Sequence, residues 1–364
     1  MEFIDLKAQY KAYQKEIDSR MAKVLEHGRF IMGPEIQELE QTLAEFVGSK
    51  YCFTVASGTH SLEIALRALN VGPGDEVVTV PFTWISTAEV VALVGAKPVF
   101  VDIDPVTFCL DVSKLETAIT PHTKAIIPVS LFGQMPDYEA INRIASKYDI
   151  PVIEDGAQSF GATQHGKRSC SITKIASTSF FPAKPLGCYG DGGALFLNDD
   201  ELAQKVKAIR THGGERRHYH THVGMNGRLD TLQAAVLLAK FPHFADEVKL
   251  RGAIGARYTE EFDGVEGIIA PHLASGNTSV YAQYTVRVAD RDKISASLKE
   301  QGIPTAVYYP KCLHEQPVFS PLGYQWGDFP NAEKASREVL SLPMSPFLTE
   351  EDQEHVINTM KGAL

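Results

Sequence analysis

The chain predicts an α/β fold, with a large domain on a mostly parallel sheet followed by a smaller α+β domain toward the C-terminal end. Three observations carry this expectation. Short runs rich in Val and Ile alternate with amphipathic helical stretches across residues 51–197. Those runs are apolar along their length, as strands covered on both faces are. A long helical pattern then starts at Asp230 and ends near Phe262, and beyond it the texture changes to mixed short elements. The expected division is therefore an N-terminal segment and large domain at residues 1–245, and a small domain at 246–364, joined by that helix.

Taken in order, Tyr10, Tyr13, Ile17, Met21 and Val24 recur at helical spacing, and the run Gly28-Arg29-Phe30-Ile31-Met32-Gly33-Pro34 breaks that helix. A second helix carries Ile36, Leu39, Leu43 and Phe46 on one side. Strands are expected at 51–55, 76–80, 98–103, 125–129, 151–154, 175–181 and 194–197. The helices between them have apolar faces such as Leu62, Ala65, Leu66 and Leu69, or Ile141, Ile144, Ala145 and Tyr148. Pro242 is expected to interrupt the long helix, since proline lacks the N–H the helix needs. Further on, 277–288 and 304–309 read as strands, and 293–301, 332–340 and 350–360 as helices.

Composition narrows the function. With 44% hydrophobic and 22% charged residues, the 364-residue chain has the make-up of a soluble globular protein. No apolar run approaches the ~18 residues that cross a bilayer, and Met1-Glu2-Phe3-Ile4-Asp5-Leu6 lacks the pattern of a signal peptide. The five cysteines are scattered without a CxxC pair, which points to a reducing cytoplasm and away from disulfides or a cysteine metal site. A net charge of −10 argues against general nucleic-acid binding, so an anionic ligand needs local cations, backbone amides or helix ends.

The chemistry concentrates in the run 177–193, where Lys184 stands between Pro182 and Pro185 and Gly187, Gly190, Gly192 and Gly193 follow. Proline fixes φ and glycine permits positive φ, so the backbone around this amine is expected to be tightly specified. An amine held out of full solvation has a lowered pKa and suits nucleophilic work. Ligands of α/β sheets gather at the carboxyl ends of strands, and two further strand ends are suggestive. Ser57-Gly58-Thr59 opens a helix and reads as an anion cup or as an ordinary N-cap. The run 151–154 leads to Asp155, with Gly156-Ala157-Gln158 after it. An amine, a carboxylate and a phosphate cup together are what pyridoxal phosphate requires, and Trp84 offers an aromatic face for its ring. Two motifs point elsewhere and are set aside. Gly161-Ala162-Thr163-Gln164-His165-Gly166-Lys167 matches a nucleotide phosphate loop until Arg168, where a hydroxyl for magnesium is needed. His218, His220 and His222 alternate, but Arg216 and Arg217 beside them mark a polar loop, and no metal site is expected.

At this point the chain resembles the pyridoxal-phosphate-dependent sugar aminotransferases of the DegT/StrS family, which have the aspartate-aminotransferase fold (fold type I). The motifs that carry the likeness run nearly end to end. They are Gly33-Pro34-Glu35, Ser57-Gly58-Thr59, Gly72-Pro73-Gly74-Asp75, Glu154-Asp155-Gly156-Ala157-Gln158, Ser179-Phe180-Phe181-Pro182-Ala183-Lys184, Gly190-Asp191-Gly192-Gly193-Ala194, Asn226-Gly227-Arg228-Leu229-Asp230 and Leu342-Pro343-Met344. Tyr281-Ala282-Gln283-Tyr284-Thr285-Val286-Arg287 and Pro304-Thr305-Ala306-Val307 are similar to the members that aminate C3 of a UDP-linked 3-keto N-acetylglucosaminuronic acid for surface polysaccharide, including O-antigen.

The resemblance implies that Lys184 binds the cofactor's aldehyde and shuttles the proton, while Asp155 pairs with the pyridine nitrogen. It also implies that Gln158 meets the phenolic oxygen, that Trp84 stacks on the ring, and that Gly58, Thr59 and Ser179 hold the phosphate. Asn226 would reach the cofactor phosphate of a neighbouring subunit, making a homodimer with shared sites. Gly28, Phe30, Arg228, Tyr308 and Tyr309 would bind the nucleotide sugar. Tyr308 departs from a frequent histidine, Phe30 from a frequent tyrosine, and Ala183 from the serine of some relatives. The implied activity moves the amino group of L-glutamate to the UDP-linked keto sugar by ping-pong kinetics. The rival readings are a C4 aminotransferase on a 4-keto-6-deoxy nucleotide sugar and a regulatory module that binds the cofactor without turnover.

Overall fold

In the computed structural model, which describes residues 1–364, the strand–helix alternation becomes one large sheet. Its strands are β1 (Tyr51–Val55), β2 (Glu76–Thr79), β3 (Lys97–Phe100), β4 (Thr123–Ile126), β5 (Ile153–Asp155), β6 (Ile175–Ser179) and β7 (Gly193–Leu197). Strands β3-β2-β4 pair in parallel, as do β5 and β6. Parallel bridges Ile126–Val152 and Val129–Asp155 join these two groups, giving the order β3-β2-β4-β5-β6-β7-β1. Only β7 runs against its neighbours β6 and β1. A parallel pair needs a crossover, usually helical. The connection from β6 to β7 holds no helix, so the chain turns straight back along the same edge.

Successive residues face opposite layers, which explains the continuous apolar runs. Val77, Ala125, Ile153, Ile175 and Leu195 join one buried cluster with α3 (Gly58–Ala68), α4 (Ser86–Leu93) and α6 (Asp200–Arg210). Val78, Ile126 and Val152 face the other layer, over α5 (Tyr138–Lys147). Ala176, Ala194 and Phe196 face that layer too, against α2 (Pro34–Val47) and α7 (Thr231–Phe262). The first helix, α1 (Leu6–His27), lies on α7 through Ile17, Val236 and Ala239.

Four expectations need correction. The long helix is continuous through Pro242, because packing of the buried Phe244 and the half-buried Phe241 around it outweighs one lost helical bond. The strand expected at 277–288 is confined to Tyr284–Val288, and the one at 304–309 to a single bridge, Ala306–Ser341. The helix expected at 332–340 ends at Glu338, where Val339–Leu342 becomes a strand. A period-2 run of four residues carries too little pattern to separate it from a helix end. This strand pairs antiparallel with Tyr284–Val288, which in turn pairs with Ile268–Ile269. The small sheet packs on the far end of α7 through Tyr258, Phe262, Tyr284 and Leu342, together with Val356 of Glu350–Ala363. Residues Phe319, Phe329, Ala332 and Ala335 instead join the core of the large sheet. No helix is long and apolar enough to cross a membrane.

Candidate active site

Strand β6 delivers its chain to a closed turn that carries Lys184. The Lys184 amide donates to the Phe181 carbonyl at 2.8 Å, and the Cys188 amide to the Phe180 carbonyl at 2.8 Å. The glycines of this turn serve a different need from the one the sequence suggests, since none has a positive φ. They are there for close approach. A Cβ on Gly187 would stand 2.4 Å from the Pro182 carbonyl oxygen, and one on Gly193 2.6 Å from the Ser57 carbonyl carbon. The buried Lys240 of α7 donates to the Gly187 carbonyl at 2.5 Å, and Gln233 Oε1 accepts from the Tyr189 amide at 2.8 Å. The long helix therefore grips the lysine turn at two points.

Lys184 and Asp155 line one cavity of about 570 Å³, at the carboxyl ends of the parallel strands. Burial pushes the Lys184 ammonium down to about 8, against the opposing pull of Asp155. Burial likewise pushes the Asp155 carboxyl up, while the hydrogen bonds of Thr87 and Ala157 and the charge of Lys184 draw it back. Thr87 Oγ1 donates to Asp155 Oδ2 at 2.9 Å and the Ala157 amide to Oδ1 at 3.2 Å, so the carboxylate is fixed in orientation. Its neighbour Glu154 points away from this cavity, accepts from Ser169 Oγ at 2.6 Å and from the Cys170 amide at 2.8 Å, and is pushed up to about 7 by burial. Adjacent carboxylates on one strand thus take opposite faces.

The N-terminus of α3 opens onto the same cavity through Ser57, Gly58 and Thr59, with Ser179 beside it. Ser57 is the N-cap, accepting from the His60 amide at 3.1 Å, so the two readings of this motif are compatible. The first amides of a helix have no intrahelical acceptor. Gly58 is required here because a Cβ would stand 2.8 Å from Ser179 Cβ. Thr59 Oγ1 and Ser86 Oγ are hydrogen-bonded at 2.8 Å. On the opposite side, Gln158 accepts from the Phe132 amide at 2.7 Å and donates to Tyr309 OH at 3.1 Å. The Trp84 ring is 59% exposed, at the mouth of the cavity, 6.1 Å from the Tyr309 ring. Tyr308, Tyr309 and Val307 complete that wall.

Gly58, Thr59, Trp84, Asp155, Gln158, Ser179, Lys184, Tyr308 and Tyr309 therefore converge. Gly28, Phe30, Asn226 and Arg228 do not line the cavity. Gly28 is the C-cap of α1, with φ 67°. The Phe30 carbonyl accepts from the Thr231 amide, Ile31 bridges Asp230, and Arg228 bridges Val55, so these residues form one strip beside the end of β1. Phe30, Ile31 and Asn226 of that strip are exposed, while Arg228 Nε is buried without a partner. The motif 161–167 folds as the hairpin Thr163–Gln164 and Lys167–Arg168, with no helix to receive a phosphate. His218 and His220 lie in or beside the exposed hairpin of Gly214–Arg216 and Tyr219–His220. Sequence reasoning missed Thr87, Ser86, Gln283 and Ile4. The hydroxyl-rich run after Trp84 was a signal for the first two; nothing marked Ile4.

A family model for the DegT/DnrJ/EryC1/StrS aminotransferases matches residues 11–361. The chain belongs to this family. Among the curated relatives of this aminotransferase is the UDP-2-acetamido-2-deoxy-3-oxo-D-glucuronate aminotransferase of Pseudomonas aeruginosa, 56% identical over 96% of both chains. A protein of Geobacillus stearothermophilus named a pleiotropic regulatory protein is 48% identical over 97% of this chain and 96% of its own. Among solved structures, S. venezuelae DesV, in complex with a ketimine intermediate, matches with a TM-score of 0.97 and 36% identity. That match covers 99% of this aminotransferase and 97% of DesV. The fold is that of the fold type I aminotransferases.

Proposed function

We propose that this enzyme transfers the amino group of L-glutamate to C3 of UDP-2-acetamido-2-deoxy-3-oxo-D-glucuronate, in the cytoplasm, as a step toward surface polysaccharide. The observation that carries the reading is the meeting of Lys184 and Asp155 in one cavity beside a helix N-terminus, in a chain 56% identical to an enzyme named for that substrate. The residues fit pyridoxal phosphate: an amine for its aldehyde, a carboxylate for its ring nitrogen, and amides with hydroxyls at Gly58, Thr59 and Ser179 for its phosphate. When bound, the cofactor supplies an electron sink for the carbanion formed on the amino donor. Lys184 Nζ, near 8 because of burial, is neutral often enough to accept a proton from the donor's Cα and to return it. The Asp155 carboxylate, steadied by Thr87, holds a proton at the ring nitrogen. Gln158 and Trp84 orient the ring, and Tyr308 and Tyr309 wall the sugar side.

The strip of Gly28, Phe30, Asn226 and Arg228 completes the site of a neighbouring copy in a homodimer. Arg228 supplies a guanidinium for an anionic group of the nucleotide sugar. The division at 245/246 separates a part that holds the cofactor from a part that contributes Gln283, Tyr308 and Tyr309 to the cavity wall. The test is to supply purified protein with pyridoxal phosphate, L-glutamate and the UDP 3-keto sugar, and to follow aminated sugar and 2-oxoglutarate by mass spectrometry. Product from a 4-keto-6-deoxy sugar but not from the 3-keto sugar would overturn the substrate. A regulatory reading draws support from the name of the Geobacillus relative. Glutamate-dependent conversion of the bound cofactor, seen by absorbance, decides against it.

A further inference from the structure

Between β6 and β7 the chain forms no helix or strand, and Lys184 stands in the middle of that irregular turn. The turn leans on one face of α7. Leu186 and Cys188 of the turn share a buried cluster with Leu237 and Phe244 of the helix. Among these apolar neighbours stands Lys240, 3% exposed, whose Nζ donates to the carbonyl of the buried Gly187. The acceptor is a neutral carbonyl and not a carboxylate, so no close ion pair offsets the cost of burying the amine. A leucine or methionine would fill the position without that cost. Gln233 and Glu247 stand seven residues to either side of Lys240, almost two helical turns, and so share its face. Gln233 accepts from the Tyr189 amide, Glu247 accepts from Gln9 of α1, and Arg251 donates to the Tyr281 carbonyl. The face that meets the turn is thereby tied to α1 and to the chain entering the small sheet, which makes it a rigid reference.

Resting on the reading that Lys184 is the amine that binds the cofactor and moves the proton, we infer that Lys240 is a positioning residue for it. By holding the Gly187 carbonyl, Lys240 fixes the turn on α7 and keeps the Lys184 amine in the cavity it shares with Asp155. Lys240 does not line that cavity, so it acts through the turn alone. The Lys184 amide to Phe181 carbonyl and Cys188 amide to Phe180 carbonyl bonds close the turn on itself. The side-chain bonds that tie it to another element come from α7, through Lys240 and Gln233. Pro182 and Gly187 flank Lys184 and lie so close that a Cβ on Gly187 would meet the Pro182 carbonyl, so a shift at Gly187 carries the amine with it. Misplacing a reacting group by a fraction of an ångström costs rate rather than binding. Lys184 serves both half-reactions, so loss of its support slows both alike.

The test is Lys240→Met, which keeps an apolar stem and removes the donor. Folded protein is loaded with pyridoxal phosphate, and rates are expressed per bound cofactor. The rate constants of the L-glutamate and UDP 3-keto sugar half-reactions are each expected to fall roughly tenfold, with both KM values within about twofold of wild type. The visible circular dichroism per bound cofactor is expected to weaken, because a looser lysine turn holds the ring less asymmetrically. Gln233→Leu removes the lesser tie, at the exposed Tyr189, and is expected to slow both half-reactions about two- to threefold. Wild-type rates in folded Lys240→Met, a loss confined to one half-reaction, or unchanged circular dichroism overturns the inference. Where Lys240→Met does not fold, wild-type rates in Gln233→Leu overturn it. Wild-type protein that converts glutamate but aminates no keto sugar would count against the substrate assignment, while the glutamate half-reaction and the circular dichroism still decide the role of Lys240.

Discussion

The cavity wall built from strand ends and the strip around Phe30 and Arg228 hold residues of the same expected site, yet they stand in opposite states. In the first, the polar groups are already answered by neighbours: Asp155 by Thr87, Thr59 by Ser86, and the Lys184 turn by Lys240. In the second, Phe30 and Ile31 are exposed, and Arg228 Nε is buried without a partner. A single chain thus preorganises the cavity around Lys184 and Asp155 and leaves unfinished the strip assigned to a neighbouring copy's site. Preorganised groups suit chemistry that repeats in every turnover. An unfinished apolar strip beside a cation suits completion by a second copy of the chain.

The largest effect expected from breaking this contrast is at Lys184. Lys184→Ala should reduce transamination by at least ~10³-fold, read as 2-oxoglutarate formation, while leaving the thermal midpoint near that of the wild type. Asp155→Asn should lower kcat by roughly 10²-fold, since a neutral amide no longer favours a protonated ring nitrogen. Arg228→Ala should act differently, raising KM for the nucleotide sugar by ~10- to 100-fold with a smaller change for glutamate. The sharpest comparison mixes the two regions. If sites are shared, Lys184→Ala and Arg228→Ala chains, unfolded and refolded together, should recover roughly a quarter of wild-type activity, because one site of each mixed dimer is intact. No recovery in demonstrated mixed dimers would place both residues in one chain's site.

Two smaller effects probe the supports. Thr87→Val leaves an Asp155 oxygen without its donor and should cost about three- to tenfold in kcat. Lys240 is pushed down to about 8 by burial from its ordinary 10.5, opposed by the charges of Glu247 and Cys188 and reinforced by Arg251. With the folded value below the unfolded one, the unfolded chain binds more protons between these limits. The contribution of Lys240 is therefore unfavourable below about pH 8 and is relieved as pH rises toward 10.5. Urea denaturation at pH 7.5 and 9 should show a rise in wild-type stability that is smaller in Lys240→Met.

The succession of strands along the chain, the amine at 184, the carboxylate at 155 and the helix opening at Ser57 were legible because each rests on local pattern: apolar runs, a proline-bounded lysine, an N-cap motif. The reversal of β7, the continuity of α7 through Pro242 and the short strand Val339–Leu342 were not, since packing between distant segments decides them. The glycines after Lys184 were noticed for the wrong reason; only the fold shows that the Pro182 carbonyl and the Ser57 backbone approach too closely for a Cβ.

What the linear order of residues determined by itself is which chemical groups end up at strand termini, because periodicity and turn chemistry act over a few positions. What tertiary structure alone decided is which of those groups face each other. Gln283 and Tyr309 reach the cavity from a part of the chain over a hundred residues beyond Asp155, while Arg228, closer in sequence to Lys184, stays outside it. Such long-range placement is set by how two sheets and one long helix bury their apolar faces against each other, and no local pattern encodes that.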